Sequence, residues 1–287
     1  KLFHICKGIT YWIWGNYAEY VFKLKITLIK LKIFKEDSRF GKIQELKDKH
    51  RGERCFIVAT GPSLTYEDLN MLRSEITISM NSIVNTFDKT EFRPTYYLIQ
   101  DKTVLDKLEN KLAQFDSKNV LVGINNLGAA CHSAIHMCDI EKIKQSQNWG
   151  LYHLNTAANW FGINFDVKNY KPCFSNDCAV QIYDGCSVTY SAIQMAFYMG
   201  FREVYLVGTD CNYKGNKCHI DDYDSGIIYD KAEEIQYRMR KSFKIAYNYS
   251  QKKEVHFFNA TRGGMLEELP RKDLDMLLYK NNFRQGF

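Results

Sequence analysis

The loop Lys217-Cys-His-Ile-Asp-Asp-Tyr-Asp224 sets one histidine among carboxylates. An imidazole changes charge near neutral pH, so a loop histidine oriented by an aspartate can serve as a general base. His219 with Asp222 and Asp224 can instead hold a divalent ion, and a solvated acidic loop is the plainest alternative. A second feature is Cys55-Phe-Ile-Val-Ala-Thr-Gly-Pro-Ser-Leu64, an apolar run closed by Thr60-Gly61-Pro62-Ser63. It reads as a buried strand, a tight turn and a helix. Gly61 would let a ligand approach the backbone, Pro62 presets φ, Ser63 offers a hydroxyl, and helix-start N–H groups favour an anion. An ordinary strand-to-helix turn explains the same residues.

Other polar residues recur in corresponding places. Asn81 follows the apolar stretch Ile76–Met80, and Gln100 and Asp101 follow Thr95–Ile99. Asp210, Asn212 and Tyr213 follow Val204–Val207, and Asn259, Thr261 and Arg262 follow Val255–Phe258. Any one of these is commonly a cap or a turn. A second glycine turn, Asp184-Gly-Cys-Ser-Val-Thr189, precedes a helical pattern, with Gly185 permitting close approach and Ser187 and Thr189 placed to cap the helix or hold an anion. His132 and His136 are four apart but lack the glutamate of a zinc-protease helix, and His153 and His256 read as structural.

The elements that must position these residues alternate. Strands are expected at Cys55–Ala59, Ile76–Met80, Thr95–Ile99, Val120–Gly123, Val204–Val207 and Val255–Phe258. Helices are expected at Tyr66–Leu72, Thr103–Phe115, Thr189–Met199 and Tyr229–Tyr249. Strand–helix–strand spacing predicts an α/β fold with a mostly parallel sheet flanked by helices, whose ligands bind beyond the carboxyl ends of the strands. The stretch from about 131 to 184, rich in His, Asn, Cys and Trp, reads as a lid or insertion over that edge. Residues 1–50 read as a basic, aromatic, amphipathic arm and residues 51–287 as the catalytic domain.

The 287 residues are enough for a large core. Net charge is +6, but the basic residues gather before Arg54, so nucleic acid is not the expected partner. Nine cysteines, an odd number in a chain of this size, fit reduced thiols in the cytoplasm better than a disulfide scaffold. In the arm, lysines interrupt the apolar run too often for a transmembrane span, and no small-residue cleavage site is seen. Aromatics with interleaved lysines suit an anionic membrane surface, or a contact with the chain's own domain or with another copy in a homo-oligomer. No P-loop, Gly-x-Gly-x-x-Gly fingerprint or Gly-x-Ser-x-Gly elbow occurs.

Taken in order, Phe56–Leu64, Gly185–Tyr190, Met199–Tyr213, Asn259–Glu267 and Pro270-Arg271 resemble the DUF115 or MptE-like group, from about residue 53 to about 278. That group is similar in turn to the bacterial sialyltransferases of glycosyltransferase family 42. The resemblance implies a Rossmann-like domain with a lid, a GT-A-like variant of the family 42 type. It implies a CMP-sugar donor, a cell-surface glycan or glycolipid acceptor, and inverting transfer without a metal. By the same resemblance, Thr60, Gly61 and Ser63 would cradle the donor, and Asn81 and Gln100 would meet its nucleotide or sugar. Ser187 or Thr189 would lie near the phosphate or carboxylate, Tyr213 would bind the leaving phosphate, and His219 would deprotonate the acceptor. The sialyltransferases carry an Arg just before their second glycine turn, where this chain has Asp184-Gly185, and Arg262 is the candidate to supply that charge. The group's name points also to a pterin pyrophosphokinase, which would need ATP and Mg2+ held by Asp210 and Asp222–Asp224. A third reading is a non-catalytic scaffold in envelope assembly.

Overall fold

A computed structural model describes residues 20, 24, 27–29, 31–33, 38–114, 119–124, 150–157, 172–212, 219–220 and 232–282. Within these, eight parallel strands form one sheet. They are β1 (Arg54–Val58), β2 (Thr77–Met80), β3 (Tyr96–Ile99), β4 (Val120–Ile124), β5 (Leu151–Ala157), β6 (Ile182–Tyr183), β7 (Glu203–Val207) and β8 (His256–Asn259). Their order is β6-β5-β4-β3-β2-β1-β7-β8. The chain lays down β1 to β6 outward in one direction, then returns to place β7 on the other side of β1, in register Val58 to Val207. That reversal makes the carboxyl ends of β1 and β7 the switch point of the sheet, where the two connections leave to opposite faces and open a crevice.

The helices are α1 (Tyr66–Met71), α2 (Lys102–Leu112), α3 (Val188–Tyr198), α4 (Ala232–Lys252) and α5 (Leu274–Asn282). Strand side chains alternate faces, and the core divides accordingly. Cys55, Ile57, Ile78, Leu98 and Leu206 pack with Ile193 and Met195 of α3 and Met239 and Phe243 of α4. Phe56, Val58, Tyr97, Val122 and Val207 pack on the other face with Leu69 of α1, Leu105 and Leu108 of α2 and Leu274 of α5. Both faces are covered, so central runs such as Phe56–Val58 and Tyr96–Ile99 are apolar on both sides.

All six expected strands form within a residue or two of their predicted bounds. Part of the expected lid does not: Leu151–Ala157 pairs with β4 over Val120–Ile124, and Ile182–Tyr183 pairs with β5. These residues extend the sheet rather than cover it. Residues 125–149 and 158–171, with His132 and His136, lie outside the described residues. Part of the stretch read as an arm packs on the domain. Phe40, Ile43 and Leu46, the last two in a 3-10 helix over Gly41–Leu46, are buried in the core. Backbone bonds from Asp48, His50 and Gly52 to the carbonyls of Tyr198, Met199 and Gly200 fasten the following turn to the end of α3. Most of residues 1–37 lies outside the described set. Among the described residues, no helix is long and apolar enough to cross a membrane.

Candidate functional site

Four of the sequence-nominated residues meet in the crevice between β1 and β7. The Ser63 hydroxyl donates to Asp210 Oδ2 at 2.8 Å. Thr60 Oγ1 lies 3.0 Å from His219 Nδ1, and the next residue, Ile220, donates its N–H to the Thr60 carbonyl at 2.8 Å. So the turn after β1 is gripped on one side by the turn after β7 and on the other by the His219 segment. Burial pushes the Asp210 carboxyl above its ordinary range, partly offset by the hydroxyl and N–H of Ser63. Asp210 is therefore a partly desolvated carboxylate that fixes the position of the Thr60–Ser63 turn.

The fold itself requires glycine at position 61. A Cβ on it would stand 1.9 Å from Asp210 Oδ2 and 2.4 Å from the Gly208 carbonyl. The Gly61 N–H already donates to that carbonyl at 2.8 Å. The close approach that demands glycine is thus made by the β7 turn. Gly264 closes the other side, since a Cβ there would be 2.8 Å from the Asp210 carbonyl oxygen.

At the start of the following helix, two backbone N–H groups are taken by the chain itself. The helix begins at Tyr66, and Thr65 is its cap. The Thr65 side chain accepts from the Asp68 N–H at 3.1 Å, while Asp68 Oδ2 accepts from the Thr65 N–H at 3.0 Å, a reciprocal capping box. Arg262 completes this arrangement. It donates to Asp68 Oδ2 at 2.5 Å with one nitrogen and to Asp275 of α5 with another. Both bonds push its pKa further upward. Its charge is committed to a buried carboxylate, so it clamps α1 and α5 together rather than standing open to a donor carboxylate.

Further along the same edge, Asn81 follows β2 with φ +48°, left-handed backbone uncommon for a residue with a side chain. Its carbonyl accepts from the Tyr97 hydroxyl at 2.5 Å, and its buried Oδ1 has no hydrogen-bond partner. Gln100 accepts from Ser191 of α3 at 2.8 Å, and Asp101 is the N-cap of α2, accepting from Thr103 N–H at 2.7 Å. At the second glycine turn, a Cβ on Gly185 would stand 2.2 Å from the Tyr190 ring, so this glycine makes room for the protein's own tyrosine. Ser187 caps α3, accepting from the Thr189 N–H, and the buried Thr189 hydroxyl meets Met80 Sδ at 3.3 Å. The contacts of Thr189 and Ser191 set the amino end of α3 against the carboxyl ends of β2 and β3. Asn212 is exposed, and Tyr213, Asp222 and Asp224 lie outside the described residues.

Among the described residues no group of three or more His, Cys, Asp or Glu is placed to hold a metal ion. Asp210 already accepts from Ser63.

The model of the 6-hydroxymethylpterin diphosphokinase MptE-like family matches residues 31–216, well over half of the chain. The chain belongs to the MptE-like family. The matched stretch runs from the residues before β1 through the turn after β7, and so includes both walls of the crevice. His219 and Arg262 lie beyond it. No curated protein matches the chain.

In this MptE-like chain the structure adds a residue that the motifs did not single out. Asp68, 1% exposed, anchors the clamp, and the Thr65-x-x-Asp68 spacing of a capping box was its available signal. Thr261 receives the Thr209 N–H at 2.9 Å, and Asn259 in turn receives the Thr261 N–H at 3.0 Å and donates to the Leu266 carbonyl. These polar residues at the end of β8 are spent on holding the β7 turn. Among the described residues Cys55, Cys178 and Cys211 are free thiols.

Proposed function

We propose that the protein is a glycosyltransferase that moves a sugar from a nucleotide-activated donor, a CMP-linked and sialic-acid-like sugar, to a hydroxyl of a glycan or glycolipid acceptor. The observation that carries this reading is the pairing of Thr60 with His219 at the switch point of a parallel sheet. Open α/β sheets bind nucleotides in that crevice. A histidine held there by a strand-end hydroxyl is placed for proton transfer. With Thr60 at Nδ1, Nε2 is the ring nitrogen that would take the proton as the acceptor oxygen attacks the anomeric carbon. The donor phosphate would leave with the electrons of the broken glycosidic bond, and Tyr213 would stabilise its charge. Asp210 acts through Ser63 and the turn, so it is a positioning residue. Asn81, with its unpartnered buried Oδ1, is the candidate contact for the nucleotide or sugar. The relation to family 42 sialyltransferases enters through the ordered motifs from Phe56 to Arg271. The reaction needs no metal, and a lipid-linked acceptor would put the enzyme at the inner face of a membrane.

General-base catalysis contributes typically ~10²–10⁴-fold, so His219→Ala should cut transfer by about that factor. Donor affinity, measured by calorimetry, should stay within about threefold of the parent because the base contacts the acceptor, an offset small beside the catalytic loss. Unimpaired transfer by His219→Ala would remove the base assignment.

A second reading is favoured by the description of the family, ATP-dependent diphosphoryl transfer to a hydroxymethylpterin-type alcohol. It requires Mg2+, for which Asp222 and Asp224 would have to join Asp210. Chelation separates the two readings: EDTA should stop diphosphoryl transfer and leave CMP-sugar transfer unchanged.

A further inference from the structure

We propose that Tyr97 is a positioning residue for ligand binding: its buried hydroxyl holds Asn81 in a strained turn that keeps the Asn81 amide oxygen open for a hydrogen-bond donor of the ligand. The ligand is that of the transferase reading, on which this proposal rests. β1 and β2 pair Val58 with Ser79. Thr60 and Asn81 each come two residues later, so Asn81 leaves the sheet beside the turn that carries the Thr60–His219 pair. Met80 is extended, with φ −154° and ψ 162°, and Asn81 reverses at once to φ +48° as the chain enters a 3-10 helix over Asn81–Thr86. Glycine takes such backbone at no steric cost, and asparagine tolerates it because its short side chain can bond to nearby groups. Asn81 Oδ1 makes no such bond. It is buried without a partner, and Ser82 beside it, fully buried, leaves its hydroxyl oxygen without one as well. A buried acceptor left open costs stability, so a purely structural turn gains nothing from this asparagine.

Contacts from separate elements hold the reversal in place. Tyr97 of β3, fully buried on the sheet face that carries α1 and α2, donates its hydroxyl to the Asn81 carbonyl at 2.5 Å. Met80 packs on the opposite face, where the Thr189 hydroxyl of α3 meets its Sδ at 3.3 Å. Ser79 donates to the Val58 carbonyl at 2.7 Å and ties β2 to β1 just before the reversal. Of these, the Tyr97 bond alone reaches Asn81. Strained backbone persists where its surroundings over-determine it, and such strain gathers at ligand sites. By fixing the Asn81 carbonyl, Tyr97 fixes the direction in which the Asn81 side chain leaves the backbone. With Oδ1 as an open acceptor, the matching group on the ligand is an O–H or N–H, such as a ribose hydroxyl or an exocyclic amino group.

The test compares the full chain with Asn81→Gly, Tyr97→Phe and the two combined. Melting temperature is read without ligand, and affinity for CMP by calorimetry. Asn81→Gly should melt higher than the parent by roughly 2–4 °C, because the left-handed backbone is relieved and the open acceptor removed. The same variant should bind CMP about tenfold more weakly, the loss expected for one hydrogen bond to the ligand. Stability gained as binding is lost marks a residue held for function. Tyr97→Phe should weaken CMP binding by about fivefold although it removes no ligand contact, and in the Asn81→Gly background it should change the affinity by less than about twofold, since the group it positions is gone. A tyrosine with a merely structural role would give losses that multiply. The proposal is overturned if Asn81→Gly melts below the parent, if Tyr97→Phe binds CMP like the parent, or if the two losses multiply. When the parent binds CMP and these signatures are missing, the positioning role falls alone; when the parent binds no nucleotide, the transferase reading falls and takes this proposal with it.

Discussion

Replacing Gly61 by alanine distinguishes a glycine kept for a ligand from one kept for the fold. The added Cβ would stand 1.9 Å from Asp210 Oδ2, 2.9 Å from Asp210 Cγ and 2.4 Å from the Gly208 carbonyl oxygen. The carboxylate can rotate away, but the carbonyl belongs to the β7 turn and is held by the Gly61 N–H at 2.8 Å. Overpacking of this kind costs about 1–3 kcal/mol. Moving Asp210 also breaks its bond from Ser63, worth about 1.5–3 kcal/mol for a charged acceptor. A combined loss of about 3–5 kcal/mol should lower the melting temperature by roughly 6–20 °C in a domain of this size. Thermal unfolding followed by circular dichroism reads this directly. Asp210→Ala in the Gly61→Ala background should cost little more, since the Ser63 bond is already gone, while Asp210→Ala alone should be clearly destabilising. Such non-additivity marks residues that share one contact. If Gly61→Ala melts within about 2 °C of the parent, a shift worth under 1 kcal/mol, and only loses nucleotide binding, the β7 turn is not what requires this glycine.

Two further outcomes follow from the charged groups. Arg262→Ala leaves Asp68, 1% exposed, without its guanidinium, and because the arginine itself is partly solvated the loss should be roughly 2–3 kcal/mol. Asp68→Asn in that background should recover part of it by keeping an acceptor for the Thr65 N–H, and a melting temperature unmoved by Arg262→Ala would refute the clamp. For Asp210 the folded pKa is raised, so the native state holds this proton more tightly than the unfolded chain. Its contribution to stability is therefore greatest at acid pH and falls as pH rises from the ordinary carboxylate value through the raised one. Urea unfolding at stepped pH should show the parent losing stability relative to Asp210→Asn across that window, and a difference of the opposite slope would contradict the desolvated carboxylate.

Much of the sheet could be read from the sequence because its central strands are covered on both faces, and runs such as Phe56-Ile-Val58 and Tyr205-Leu-Val207 stay apolar. β5 escaped because Leu151-Tyr-His-Leu-Asn-Thr-Ala157 interleaves polar residues, and its pairing to β4 is set by register rather than composition. β6 is two residues long and carries no pattern of its own. Thr60, Ser63 and Asp210 are nominated by the turns that follow strands and His219 by its carboxylate-rich loop, and the topology gathers all four at the switch point. The same signals could not assign Gly61, Gly185 or Arg262. Their neighbours are decided by tertiary contacts, as with Arg262 and Asp68, which stand 194 positions apart. Asp101, Ser187 and the Thr65–Asp68 box are helix caps, the commoner employment of such residues.

The central claim is a nucleotide-sugar site at the crevice between β1 and β7. Its most direct test is thermal stabilisation of the full chain by CMP, CDP, UDP, GDP, ADP and ATP, each with and without magnesium, since a ligand that binds the folded state raises its melting temperature. The account predicts a shift with CMP that does not need magnesium and that shrinks when Asn81 is replaced by alanine. A shift with ATP that requires magnesium, and none with CMP, would contradict it and favour diphosphoryl transfer.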